Sequence, residues 1–300
     1  MEKKSLIAIG VVAAVILVAG GVAMLSQGEE DRPATLKQQG SDTLLELMTA
    51  MSESFNYAQD DVRVDVTGGG SGVGIESLIR GTIDVAQASR QMKQTEIDAA
   101  KANNIDPLEF SVAIDGIAIV VNSASTVESL TMEQLRGIYN GSITNWNEVG
   151  GADQDILPYG RQTTSGTYEF FFEAVMKKED FATGVSQETG NAAIATKVAK
   201  NAGGIGYIGI GYAQQAQGVK MVPLKVDAAS EAFLPTDEVA VYAGDYSLSR
   251  HLYVYTDGTP EGAVKTWVEY ILSEEGQAVV EEAGFYKLDA ETLAEMKAKL

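Results

Sequence analysis

The chain has 300 residues, of which 45% are hydrophobic and 21% are charged, as in an average folded protein, so disorder over most of its length is excluded. It contains no cysteine and a single histidine, His251, which excludes disulfides, cysteine nucleophiles, thiolate metal sites and metal centres with several histidines. Its 22 Lys and Arg against 42 Asp and Glu give a formal net charge of −20, which argues against nucleic-acid binding through a basic face. No cofactor is predicted.

The first element is an apolar segment from Leu6 to Leu25, 20 residues without a charge. As a helix it is long enough to span the hydrocarbon core of a bilayer. Lys3 and Lys4 precede it, which places the rest of the chain on the outer face of the membrane. We predict a membrane anchor in residues 1–25 and a polar linker in residues 26–39. A cleaved secretory signal and a buried helix stay open as alternatives.

Beyond the linker, strand and helix patterns alternate, which predicts an α/β architecture. The predicted strands are residues 62–67, 83–88, 116–122, 156–160, 205–210 and 251–255. The predicted helices are residues 75–80, 131–139, 167–178, 264–272 and 274–283, and Thr131 with Gln134 forms a capping box at the second of them.

Three segments share one local chemistry: a strand ends, small residues follow, and a helix begins at a Ser or Thr. They are residues 40–43, 68–72 and 161–167. The start of a helix offers unpaired N–H groups and about half a positive charge, which together with a hydroxyl suits an oxyanion. Taken singly, each hydroxyl is also explained as an ordinary helix N-cap, and Thr43 with Glu46 has capping-box spacing.

Other glycine and serine motifs fit poorly. The glycine run lacks both the spacing of a dinucleotide-binding fingerprint and the lysine of a nucleotide-binding loop. Ser71 and Ser165 are not in a G-x-S-x-G nucleophile elbow, because Val73 and Thr163 break the pattern.

The sequence resembles the phosphate-binding proteins of ABC transporters, the PstS family, within the type II periplasmic-binding-protein fold. The resemblance runs from Gly40 to Leu288, and its most specific motif is R-x-x-x-S-G-T, which begins at Arg161. The other segments that carry it are GSDTLLELM, VDVTGGGSGVGIESLIRGTIDVAQASR, DGIAIVVN, LTMEQLRGIYNGSITNWNEVGG, GGIGYIGIGY, SRHLYVYTDG and WVEYILSEEGQ.

The resemblance implies two α/β lobes joined by two crossover strands, near Gly116–Asn122 and Ser249–Tyr255. It places residues 40–115 and 249–300 in lobe 1 and residues 116–248 in lobe 2. It also implies that phosphate is bound by hydroxyl, backbone and guanidinium groups of both lobes. By position, these ligands fall on Ser41, Thr43, Ser71, Arg161, Ser165, Gly166 and Thr167.

The family's carboxylate is missing from its expected place, because Ser89 is followed by Arg90. Asp115 is our candidate substitute, although an aspartate that caps a turn would look the same. Ser89 and Arg90 are further candidate contacts. Arg90 is left with three alternatives: it pairs with Asp115, contacts the anion, or lies at the rim.

The resemblance implies a solute-binding protein, not an enzyme. We expect it to capture inorganic phosphate between its lobes and deliver it to the permease and ATPase subunits of an ABC transporter. It should act as a monomer on the extracytoplasmic face of the membrane. Because the chain is strongly acidic, short-range donors must carry the affinity. Another tetrahedral oxyanion (sulfate, molybdate or tungstate) and a phosphatase-like enzyme using Ser71 or Ser165 are the alternatives. His251 is interpreted as a structural residue at a crossover, with a pH sensor as its alternative.

Overall fold

The structure, a computed structural model, describes residues 33–300. The predicted anchor in residues 1–25 lies outside the described residues and stays a prediction. Within the described part of the chain, no helix combines the length and the apolar character needed to cross a bilayer.

The predicted linker is wrong in its second half, because Ala34–Gly40 forms the first strand, β1. Leu36 and Gln38 are buried on this strand, while most of its other side chains lie towards solvent. The Gln38 side chain donates to Gln87 and accepts from Trp267, so a polar residue serves as part of the core. Because one face of this short strand lies in water, its sequence is as polar as that of a linker.

Strands and helices alternate along the described chain. The other strands are β2 (Val62–Thr67), β3 (Val85–Ala88), β4 (Pro107–Asn122), β5 (Leu130–Thr131), β6 (Leu157–Arg161), β7 (Ser186–Glu188), β8 (Gly204–Gly209), β9 (Val219–Met221), β10 (Leu224–Lys225) and β11 (Ser249–Asp257). The helices are α1 (Leu45–Ala58), α2 (Ser71–Ile79), α3 (Gln94–Ala102), α4 (Met132–Asn140), α5 (Gly166–Ala174), α6 (Asn191–Lys200), α7 (Ile210–Gln215), α8 (Glu238–Ala243), α9 (Gly262–Ile271), α10 (Glu274–Glu282) and α11 (Ala290–Lys297).

Most differences from the predicted helices concern their ends. Helix α2 begins at Ser71, earlier than the predicted start at residue 75. Helix α5 ends at Ala174 and not at residue 178, because Lys177 and Lys178 adopt positive φ angles of 53° and 68° that no α-helix contains. The capping box of Thr131 and Gln134 is confirmed at the start of α4.

Two sheets form the centres of two lobes. The first has the strand order β2-β1-β3-β11-β4, with β1 parallel to β2 and β3, and β11 antiparallel to β3 and β4. The second has the order β4-β8-β6-β7, with β6 parallel to β7 and β8, and β9 also paired with β4. The strand β4 therefore belongs to both sheets.

The chain crosses between the lobes at one place on β4 and returns next to it. Gly116 of β4 pairs with Ser249 of β11, whereas the following residue, Ile117, pairs with Gly209 of β8. The Ile117 amide also donates to the carbonyl of Leu248, just before β11 begins, at 2.9 Å. Both crossings therefore lie side by side.

Aromatic side chains organise the two cores. In lobe 1, Trp267 of α9 contacts Phe55 of α1 with ring centroids 5.1 Å apart, which returns the C-terminal helices to the first sheet. In lobe 2, Phe171 of α5 stacks on Tyr207 of β8 at 3.9 Å, and Tyr139 packs against both rings. This cluster fixes the start of α5 over the carboxyl ends of β6 and β8.

Candidate functional site

Polar residues from both lobes meet at the carboxyl ends of β1, β3, β6 and β8, where ligands of open α/β sheets bind. The structure brings together nearly all the residues predicted from the sequence, and their side chains are at most 2% exposed. These buried residues are Ser41, Thr43, Ser71, Ser89, Asp115, Arg161, Ser165 and Thr167.

The first loop lies against lobe 2. The capping box predicted for Thr43 is wrong, because α1 begins at Leu45 without a side-chain cap. The Thr43 amide instead donates to Ser41 Oγ at 3.2 Å, which forms a small turn. This turn leaves Thr43 Oγ1 to share a hydrogen bond with Thr167 Oγ1 of the other lobe at 2.9 Å.

The glycine-rich loop provides Ser71, which is the first residue of α2 and not its cap. Gly70 holds the cap position with φ of 95°, a backbone conformation that favours glycine. Ser71 Oγ accepts from the Ser89 amide at 3.0 Å and lies 3.2 Å from Ser89 Oγ. The two serines therefore form one hydroxyl pair at the edge of lobe 1.

The start of α5 in lobe 2 faces this pair. Ser165 is an N-cap, as the alternative interpretation of its hydroxyl predicted, since its Oγ accepts from the amides of Thr167 and Tyr168. The Gly72 amide of lobe 1 donates to the Thr164 carbonyl of lobe 2 at 3.0 Å. The lobes are thus in direct backbone contact.

Arg161 ends β6 and is 1% exposed. Its Nη2 donates to Asp42 Oδ2 at 2.8 Å and its Nη1 to Asn191 Oδ1 at 3.0 Å, whereas its buried Nε has no partner in the described chain. Burial lowers the pKa of this arginine and the Asp42 carboxylate opposes the shift. An arginine still keeps its charge, so Arg161 is a buried cation with N–H groups to spare.

Asp115 is completely buried at the end of the first-sheet part of β4. Its Oδ1 accepts from the Ile210 amide at 3.1 Å, and its Oδ2 accepts from Nε and Nη2 of Arg250 at 3.1 and 2.8 Å. Arg250 is its cross-strand partner on β11. The carboxylate is therefore held by a second buried arginine.

Arg90 does not pair with Asp115, so that alternative is wrong. Both of its terminal nitrogens donate to the Glu96 carboxylate at 2.7 Å. Burial alone would raise the pKa of Glu96, but the hydrogen bonds from Arg90 and from the Lys93 amide lower it below its usual range. Close by, Lys93 of lobe 1 pairs with Glu169 of lobe 2 at 2.8 Å.

Three site residues were not predicted from the sequence: Asp42, Asn191 and Arg250. For Asp42 a signal existed, because an acidic residue stands between the two candidate hydroxyls of the first loop. For Arg250 the signal depends on the register of β4 and β11, which joins residues 135 positions apart.

Comparisons with known proteins agree with this geometry. A family model described as the PBP superfamily domain matches residues 26–275. The phosphate-binding protein PstS of Pseudomonas aeruginosa is 32% identical over 272 residues, which cover 85% of this chain and 83% of the relative. The protein of the same name from Staphylococcus aureus is 32% identical over 268 residues, covering 86% and 80%.

The chain belongs to the PstS family of phosphate-binding proteins. Two solved structures support the same assignment. A phosphate ABC transporter substrate-binding protein from Clostridium perfringens, solved with bound phosphate, has a TM-score of 0.76 and 30% identity, with 85% of this chain and 100% of that chain covered. An ABC-type phosphate transport receptor from Vibrio cholerae has a TM-score of 0.68 and 31% identity, with 84% and 100% covered.

PstS membership confirms the predicted two-lobed α/β fold and the prediction of a binding protein rather than an enzyme.

Proposed function

We propose that this protein captures inorganic phosphate between its two lobes and delivers it to an ABC-type phosphate transporter. The observation that carries the proposal is the buried Nε of Arg161, which has no acceptor in the described chain. A buried donor without a partner costs about 1–3 kcal/mol, which a bound oxyanion would recover. The names of the PstS relatives and the phosphate bound in the Clostridium structure support the choice of anion.

The proposed ligands come from both lobes. Arg161 uses two of the five N–H groups of a guanidinium on Asp42 and Asn191, which leaves three for an anion. Hydroxyls, the small residues of the loops and the start of α5 complete the cradle. The proposed phosphate ligands are Ser41, Thr43, Ser71, Asp115, Arg161, Ser165, Gly166 and Thr167, with Ser89 and Arg90 as further contacts.

Asp115 supplies the proposed selectivity for phosphate over sulfate. A carboxylate has about four lone-pair positions, and three hydrogen bonds from Ile210 and Arg250 occupy three of them. The remaining position on Oδ1 can accept the proton that phosphate keeps at neutral pH. Fully ionised sulfate has no such proton, so one of its oxygens would face the open lone pair of Oδ1 without a hydrogen bond.

Closure of the lobes around the anion is part of the proposal. Thr43 with Thr167, and Asp42 with Arg161, already join the lobes through the site. An anion that contacts both sides favours the closed arrangement, because only that arrangement makes both sets of contacts.

Calorimetric titration with phosphate tests the proposal. We expect Arg161→Ala to weaken binding at least about 100-fold, since charge-assisted hydrogen bonds contribute about 1.5–3 kcal/mol each. Arg80→Ala is the matched control, because Arg80 is an exposed arginine whose ion pair within residues 33–300 is with Glu76, and this variant should bind as the wild type. No binding of phosphate by the wild-type protein, or displacement of phosphate by equimolar sulfate, would contradict the assignment.

We further propose that residues 1–25 anchor the protein on the extracytoplasmic face, where it acts as a monomer. The uncharged segment behind Lys3 and Lys4 supports this placement. Mass spectrometry of the protein from its native membrane tests it, because a cleaved signal would remove the segment. Light scattering of the purified protein tests the monomer.

A further inference from the structure

The structure contains a second buried arginine at the site, Arg250, which the proposed ligand set does not include. It lies on β11 in lobe 1, is 4% exposed, and contacts groups from three parts of the site. Its Nη1 donates to the Ser89 carbonyl at 2.9 Å, and its Nη2 donates to Thr167 Oγ1 at 2.9 Å. Its guanidinium also lies over the ring of Phe170, 5.4 Å from the centroid. Arg250 therefore joins the carboxylate of β4 to the start of α5 in lobe 2.

The two arginines differ in how many of their N–H groups are hydrogen-bonded to the protein. Arg250 uses four of its five N–H groups on protein acceptors, two on Asp115 and one each on Ser89 and Thr167. Arg161 uses two of its five. Arg161 is therefore free to bind an anion, whereas Arg250 is occupied in holding other groups of the site.

Arg250 fixes the role of the Thr167 hydroxyl. A guanidinium has no acceptor, so Thr167 Oγ1 must accept from it. The hydroxyl hydrogen then points away from Arg250 and is donated to Thr43 or to a bound oxyanion. In this way Arg250 makes Thr167 a donor.

Arg250 also fixes the role of Asp115. Its two hydrogen bonds fill Oδ2 and leave the open acceptor position on Oδ1. Arg250 is also the counter-ion of this fully buried carboxylate, at 2.8 Å, and a buried charge needs such a partner.

We propose that Arg250 is the positioning residue that sets anion specificity, by holding Asp115 as an acceptor and Thr167 as a donor. This inference rests on the proposed function, because it concerns how the same site selects its anion.

The test is competition calorimetry with phosphate and sulfate at neutral pH. In Arg250→Gln the preference for phosphate over sulfate should fall at least ten-fold. Arg250→Lys keeps a charge beside Asp115 and should restore part of that preference. Arg136→Gln is the control, because Arg136 pairs with Glu133 and Glu179 at the surface of lobe 2, and it should leave the preference unchanged.

The double variant Asp115→Asn/Arg250→Gln keeps the experiment decisive if Arg250→Gln fails to fold, because it removes both buried charges together. It should bind phosphate and sulfate with similar affinity. A folded single or double variant with the wild-type preference would overturn the inference while leaving phosphate binding intact. A wild-type protein that does not bind phosphate would instead overturn the proposed function.

Discussion

Gly166 of lobe 2 lies against Ser71 and Ser89 of lobe 1, and adding one methyl group there should prevent full closure of the lobes. A Cβ at this position would lie 2.6 Å from Ser89 Oγ and 3.0 Å from Ser71 Cβ, and closer still to Ser71 Oγ. The serine hydroxyls cannot turn away freely, because Ser71 Oγ accepts from the Ser89 amide. In Gly166→Ala the lobes must therefore separate.

The size of the effect follows from the distances. A carbon in ordinary contact needs about 3.5 Å, so the lobes must separate by about 1 Å at this contact. Three hydrogen bonds between the lobes, Thr43 to Thr167, Arg250 to Thr167 and Gly72 to Thr164, now measure 2.9, 2.9 and 3.0 Å. At about 4 Å none of them would persist. The loss of three such bonds costs roughly 2–4 kcal/mol, or about 30- to 700-fold in phosphate affinity.

Calorimetry measures the affinity, and thermal denaturation without phosphate shows whether the fold is intact. Alanine is a better helix former than glycine, so the melting temperature should stay equal or rise. Gly184→Ala is the matched control in lobe 2, because a Cβ there meets nothing within 4 Å. Binding by Gly166→Ala at wild-type affinity would show that the lobes do not need this contact.

Two further predictions concern charges near the crossing and the cleft. Burial lowers the pKa of His251 in the native state. Below a pH of about 6.5 the unfolded chain therefore binds a proton that the native state resists, and the free energy of unfolding should decrease as the pH falls. Denaturant titrations at pH 5 and 7.5 should show a smaller decrease in the free energy of unfolding for His251→Gln than for the wild type. Equal decreases would contradict this role of His251. Lys93→Ala removes the ion pair with Glu169 between the lobes and should weaken phosphate binding by at most about 1 kcal/mol. The effect should vanish at high salt, whereas Lys287→Ala, which breaks a pair within lobe 1, should change nothing at either salt concentration.

The alternation of strands and helices predicted the α/β class, and the resemblance predicted the residues that meet at the site. The individual roles of the hydroxyls were harder to predict. Thr43 and Ser71 stand at helix starts in the sequence, yet neither caps a helix, because a turn at Ser41 and a positive φ at Gly70 rotate them towards other partners. Ser165 in similar surroundings is a cap.

The pairing of charged residues was the hardest feature to predict, because it depends on the tertiary fold. Arg90 pairs with Glu96, which is only six residues away, but the sequence alone cannot show that Arg90 pairs with this residue and not with Asp115. The partner of Asp115 is Arg250, and that pairing follows from strand register across the lobe crossing. The resemblance therefore predicted which residues lie at the site, whereas the long-range register decides which of them neutralise one another.

Asp115 and Arg250 face each other on adjacent strands, two residues before Ile117, where β4 begins to pair with β8 instead of β11. A rotation of lobe 2 about that point would swing Arg161 and α5 through an arc while this pair stays in place. On the functions proposed here, the Asp115 carboxylate stays with lobe 1 and can test an incoming anion for its proton before Arg161 and α5 enclose it. An anion without that proton would then dissociate before the lobes close around it. Few binding proteins that carry the wrong anion would therefore reach the transporter.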